Sequence, residues 1–191
     1  SAVGALYSMN DRFIGSCVLV SPLIALTAGH CIEYGDIKSA RFGDEKILVE
    51  SQFVHRDYYF GDDLGILILA SPSKEKPMSI IDDIGIIGKM DPIYTIAHGE
   101  GRKKVSKDGV YNFYGILKNK PNEISFLPLQ TSVWFGDSGG ALVWKNENDE
   151  YVLIGIITHF SVLDDMVYEC AARRVDNFNL YDDIWQPWIP K

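Results

Sequence analysis

Hydrolysis of an amide or ester at neutral pH needs a nucleophile stronger than water. A serine hydroxyl qualifies only when a neighbouring base takes its proton as it attacks. Histidine suits that task because its ordinary pKa lies close to neutrality. A carboxylate behind the ring then fixes the tautomer and steadies the imidazolium. Three segments carry these residue types. Phe135-Gly136-Asp137-Ser138-Gly139-Gly140-Ala141-Leu142-Val143 sets a serine in a glycine turn just ahead of an apolar run. Leu26-Thr27-Ala28-Gly29-His30-Cys31 ends an apolar run on a histidine, and Asp62-Asp63-Leu64-Gly65-Ile66-Leu67-Ile68-Leu69 puts an acid before a core-length run. A glycine turn around a serine also lets backbone N–H groups meet a developing oxyanion. Taken singly, each segment has a plain structural meaning: a turn, a strand ending on a buried histidine, a capping acid. Together they could perform acyl transfer.

Positioning them calls for many short strands. Runs such as Ala2–Ser8, Gly15–Val20, Ile24–Ala28, Ile47–His55, Leu64–Ala70, Pro92–Ala97, Val110–Leu117, Glu123–Leu127, Ala141–Trp144 and Tyr151–Phe160 are apolar and punctuated by turn residues. Ser21-Pro22, Gly61-Asp62 and Ser71-Pro72 are examples of that punctuation, which predicts an all-β barrel or sandwich. Asp176–Ile189 reads as a short terminal helix. The stretch from Ser71 to Asp91 is the best boundary between two halves, taken as 1–80 and 81–191.

The chain has 191 residues, 47% of them hydrophobic, enough for an ordinary core. Its net charge of −8 argues against a nucleic-acid partner and a membrane-surface role, and no apolar stretch is long enough for a membrane-spanning helix. The four histidines and three cysteines show no metal-ligand spacing, so neither metal nor cofactor is expected. The start at Ser1-Ala2-Val3-Gly4 reads as that of a processed or trimmed chain.

With these segments in hand, the chain resembles the chymotrypsin/trypsin family of serine proteases, whose signatures Gly-Asp-Ser-Gly-Gly, Thr-Ala-Gly-His-Cys and Asp-Leu-Gly-Ile-Leu occur here in the family's order of His, Asp, Ser. Gly155-Ile156-Ile157-Thr158 resembles the strand bordering the family's substrate cleft, and Trp185-Gln186-Pro187-Trp188-Ile189 its terminal helix. The resemblance implies two six-stranded antiparallel β-barrels with a short C-terminal helix, His30 and Asp63 in the first and Ser138 in the second. It implies an endopeptidase with Ser138 as nucleophile, His30 as general base and Asp63 as its orienting acid. Asp62 is the rival acid, but Asp63 stands at the motif position. The amides of Gly136 and Ser138 would form the oxyanion hole, Thr158 would support Asp63, and His55, His98 and His159 would be structural or surface residues.

The chain also departs from the family. The residue that would sit at the base of the primary pocket is Ser132, which disfavours Arg or Lys at P1. The pocket walls would hold Phe160 and Cys170, pointing to a small or modest apolar P1; the alternative is an acidic P1 recognised by His159. Ala2–Ala5 fits as the first strand itself, so the charge meeting Asp137 is expected from Arg102, Lys103 or Lys104. Cys31 matches a family disulfide position, whereas its partner position is Gly15. Cys17 lies two residues on, roughly 6.6 Å along a strand, so unless the strand is bulged Cys17 and Cys31 are expected to be free, buried thiols; Cys170 has no evident partner. The partners implied are a polypeptide substrate and a protein inhibitor. A secreted or extracellular setting is expected, although few cysteines leave viral, bacterial or intracellular settings open. The rival function is a protease-like binding module with an occluded or latent site.

Overall fold

The computed structural model describes residues 1–88, 91–99, 104–106, 115–116, 121–126, 133–176 and 188–191. The first sheet is built from β1 (Val3–Tyr7), β2 (Phe13–Ser21), β3 (Ile24–Thr27), β4 (Ser39–Phe42), β5 (Glu45–His55) and β6 (Gly65–Leu69). Every neighbouring pair is antiparallel, and the order β4-β1-β2-β3-β6-β5 returns from β5 to β4, closing a six-stranded barrel. Closure leaves no free edge within that ring. Leu6, Leu19, Phe42, Leu67 and Leu69 fill it, each such side chain contributing about 1.5–3 kcal/mol by leaving water. Between β3 and β4 lies one short helix, α1 (Gly29–Gly35), which stops where Asp36 takes a left-handed φ of 45°.

The second sheet comprises β7 (Ile93–Ala97), β8 (Lys104–Ser106), β9 (Gly115–Ile116), β10 (Glu123–Phe126), β11 (Ala141–Lys145), β12 (Tyr151–Leu163) and β13 (Met166–Arg174). Its order is β8-β7-β11-β12-β13-β10-β9, all antiparallel. Its outer strands β8 and β9 do not pair with each other among the described residues, so one barrel is closed and the second sheet is open. Ile93, Phe126, Leu142, Ile154 and Ile157 form its core. A third cluster draws Val3, Val18, Leu26 and Ile66 of the first sheet against Ala141, Val143 and Ile156 of the second. The chain crosses over this layer at 71–88: Met78 N–H donates to Leu19 O, and Leu153 N–H to Ser79 O, both at 2.8 Å.

One expectation changes. Trp188 and Ile189, placed above in a terminal helix, belong instead to strand β14 (Trp188–Pro190), antiparallel to β5 with Trp188 opposite His55. A proline suits such a strand, where its missing N–H removes no ladder bond at the sheet's outer edge. The remainder of that segment, 177–187, lies outside the described residues. Of the run expected at Val110–Leu117, only Gly115–Ile116 is described, as β9.

Candidate functional site

His30 stands in the first turn of α1, directly after β3. Asp63 lies on the turn between the short 3-10 turn Tyr58–Phe60 and β6. The two meet twice: the His30 backbone N–H donates to Asp63 Oδ1 at 2.8 Å, and Nδ1 lies 2.7 Å from Oδ2. A carboxylate can only accept, so the Nδ1 proton sits toward Asp63 and Nε2 is left for the cleft. Burial opposes a charged ring, but the Asp63 hydrogen bond and the adjoining Cys31 outweigh it and raise the His30 pKa. Gly29 is required by crowding: a Cβ there would lie 2.7 Å from the Tyr58 ring and 3.1 Å from Asp63 Oδ1.

Ser138 sits in the turn before β11, flanked by Gly136 at φ 89° and Gly139 at φ 83°. A Cβ at Gly139 would fall 2.0 Å from Ser16 O, which only glycine permits. Ser138 Oγ donates to Thr158 O at 3.3 Å. Among the described residues no hydrogen bond joins it to His30, yet both side chains line one cavity of about 350 Å³. The N–H groups of Gly136 and Ser138 meet no acceptor among the described residues. Asp137 is buried, and its Oδ2 accepts from Trp134 N–H at 2.9 Å. Of the basic residues expected to meet it, Arg102 and Lys103 lie outside the described residues, as does the side chain of Lys104.

Asp62 has a different environment. Arg173 on β13 grips it in bidentate fashion, Nε to Oδ1 at 2.8 Å and Nη2 to Oδ2 at 3.0 Å, both partners buried. The Thr158 hydroxyl donates to Ala171 O and faces His159 Nδ1 at 3.1 Å. It makes no hydrogen bond to Asp63 among the described residues, contrary to the support expected of it; its carbonyl instead receives Ser138 Oγ. His159 is half exposed, with Nε2 3.9 Å from Glu123 Oε2. Phe160 stacks on Trp134 with ring centroids 5.2 Å apart, and Phe135 meets both edge-on. Cys170 lies opposite Phe160 in the ladder and is fully buried. Ser132 lies outside the described residues. All three cysteines are buried and none is in a disulfide. His98 donates its N–H to Ser16 Oγ at 2.9 Å, and its Nε2 lies 3.1 Å from Val3 O.

Two residues that the motifs did not single out complete the arrangement. Ser16 on β2 joins the sheets: its N–H donates to Ser138 O at 2.8 Å and its Oγ to Gly136 O at 3.1 Å. Nothing in Gly15-Ser16-Cys17 marks it, since a lone serine in an apolar run is common. Arg173 carried a fainter signal, a cation directly after Cys170-Ala171-Ala172. Among the described residues, no group of three or more His, Cys, Asp or Glu side chains could hold a metal ion. Chemically, the arrangement supplies a serine, an oriented imidazole and two unengaged amides around one cavity.

The model of a trypsin-like peptidase domain matches residues 15–156 of the chain. No curated protein matches it.

Proposed function

The chain belongs to the trypsin-like peptidase family, and from that premise we propose that it is a serine endopeptidase acting through an acyl-enzyme on Ser138. The observation that carries the reading is the double Asp63–His30 contact at 2.8 and 2.7 Å, which turns Nε2 toward the cavity holding Ser138. In the reaction, Ser138 Oγ leaves Thr158 O by rotation about χ1 and gives its proton to His30 Nε2 as it attacks the scissile carbonyl. Hydrogen bonds at such sites are often long or misaligned before substrate arrives. The Gly136 and Ser138 amides then take the oxyanion, His30 returns the proton to the leaving amine, and water repeats the cycle on the ester.

Several finer points travel with this reading. P1 is a small or modest apolar residue rather than Arg or Lys, with Ser132, His159, Phe160 and Cys170 around it. Asp137 is neutralised by Arg102, Lys103 or Lys104. The seven-stranded sheet of β7–β13 closes into a second barrel. The polypeptide substrate, a protein inhibitor and a secreted setting follow from the same premise. A fluorophosphonate probe tests the central claim: labelling that disappears in Ser138→Ala is expected, and absence of labelling in the folded protein overturns it. The Trp134–Phe160 stack favours a second reading, a binding module whose cleft its own aromatics fill. That reading predicts no labelling at all.

A further inference from the structure

The cavity shared by His30, Gly136 and Ser138 is lined by neither Thr158 nor His159. Its other walls are Arg12, Phe13 and Ile14 at the start of β2, Cys31 and Tyr34 on α1, and Phe135. His30 must deliver its proton to the leaving amine, so the leaving half of a substrate lies on this side of Ser138. The walls are mostly apolar or aromatic, and Tyr34 and Phe135 are largely exposed at the rim. Among the described residues the exposed Arg12 is the only permanently charged group in the walls of the cavity, and no carboxylate lines it. That is notable in a chain of net charge −8. Asp11, the nearest acid in sequence, is drawn to Lys46 at 2.7 Å, and the Arg12 guanidinium meets no carboxylate among the described residues. The cavity beyond Asp62 has the opposite character, with Asp57, Asp62 and Glu123 in its walls.

We infer that this cavity receives the residues just after the scissile bond, an apolar or aromatic side chain against Phe13, Ile14 and Phe135 followed by an acidic one on Arg12. The inference rests on the endopeptidase reading above. A guanidinium favours a carboxylate by charge and by its paired donors, and an aromatic side chain gains from leaving water against these walls. A lysine in the same place meets like charge instead.

Two internally quenched peptides test it. Both share an acyl half randomised at the residue before the scissile bond; one continues Phe-Glu after that bond, the other Phe-Lys. An ester of the same acyl half, with a small alcohol as leaving group, reports on Ser138 chemistry alone. The expected result is a several-fold higher kcat/KM for the Phe-Glu peptide, of about three- to five-fold for one exposed pair, lost in Arg12→Gln and reversed in Arg12→Glu. An unchanged ratio in both variants overturns the inference, as does ester hydrolysis by a wild-type protein that cuts neither peptide. Failure of the wild-type protein to cleave the ester, with no Ser138-dependent probe labelling, overturns the underlying reading instead.

Discussion

Asp62 and Asp63 are neighbours in sequence and opposites in environment. Asp63 spends both oxygens on His30, whereas Asp62 spends both on Arg173. On the proposed reading, Asp63→Asn lowers kcat by about ten-thousand-fold, the size expected when the amide favours the wrong imidazole tautomer. Asp62→Asn leaves kcat far closer to wild type, and steady-state kinetics on the two variants separate them. The pH profile has a definite sign. His30 works as a base only when neutral, and its pKa is held above the ordinary 6.5, so kcat/KM rises with pH on a limb displaced to the alkaline side. In Asp63→Asn that limb moves down in pH. Linkage runs the same way: the stability His30 contributes is full below about pH 6.5 and fades as pH rises through its folded value.

At the scale of elements, the apolar runs before His30, after Asp63 and after Ser138 were legible, because buried strands of this kind read as continuous hydrophobic text. β3, β6 and β11 lie where those runs predict them. β4 was not legible: Ser39–Phe42 is four residues long and carries Ser39 and Arg41. Nor was the full extent of β13, because Met166–Arg174 includes Glu169, Arg173 and Arg174. Arg173 is tolerated there only because Asp62, 111 residues away in sequence, receives it. β14 escaped for a similar reason, since a three-residue strand exists only through its partner β5. The position of Gly15 was read correctly as facing Cys31: a Cβ there would lie 3.0 Å from Cys31 Sγ. Gly15→Cys is therefore expected to form a disulfide with Cys31 under oxidising conditions. Thiol titration would fall to two reactive groups in the unfolded protein, as four cysteines less the bridged pair. A loop of this length stabilises by roughly 3 kcal/mol, readable as a rise in Tm. That gain is reduced by crowding against Ser138 O, also 3.0 Å from the new Cβ.

Across the whole molecule the two sheets are joined by three different kinds of contact. The apolar layer around Leu26, Ile66, Val143 and Ile156 gives area, the Asp62–Arg173 pair gives a directional strut, and Ser16 gives short hydrogen bonds to the serine turn. Removing one member of the strut strands a buried charge, so Arg173→Ala should cost about 3–5 kcal/mol in urea denaturation. The double change Asp62→Leu with Arg173→Met should recover part of that loss, because it removes both buried charges together, while the Arg174 carbonyl loses its Arg173 donor and His55 the neighbouring carboxylate. The Ser16 contacts carry a different consequence. The carbonyls of Gly136 and Ser138 are held by a residue more than a hundred positions earlier, on the other sheet. Chains fold from the N-terminus as they leave the ribosome, so the first barrel can form while the serine turn still lacks its anchor. A half-made molecule of a proteolytic enzyme would then be harmless to its neighbours, and to itself, until both sheets have met.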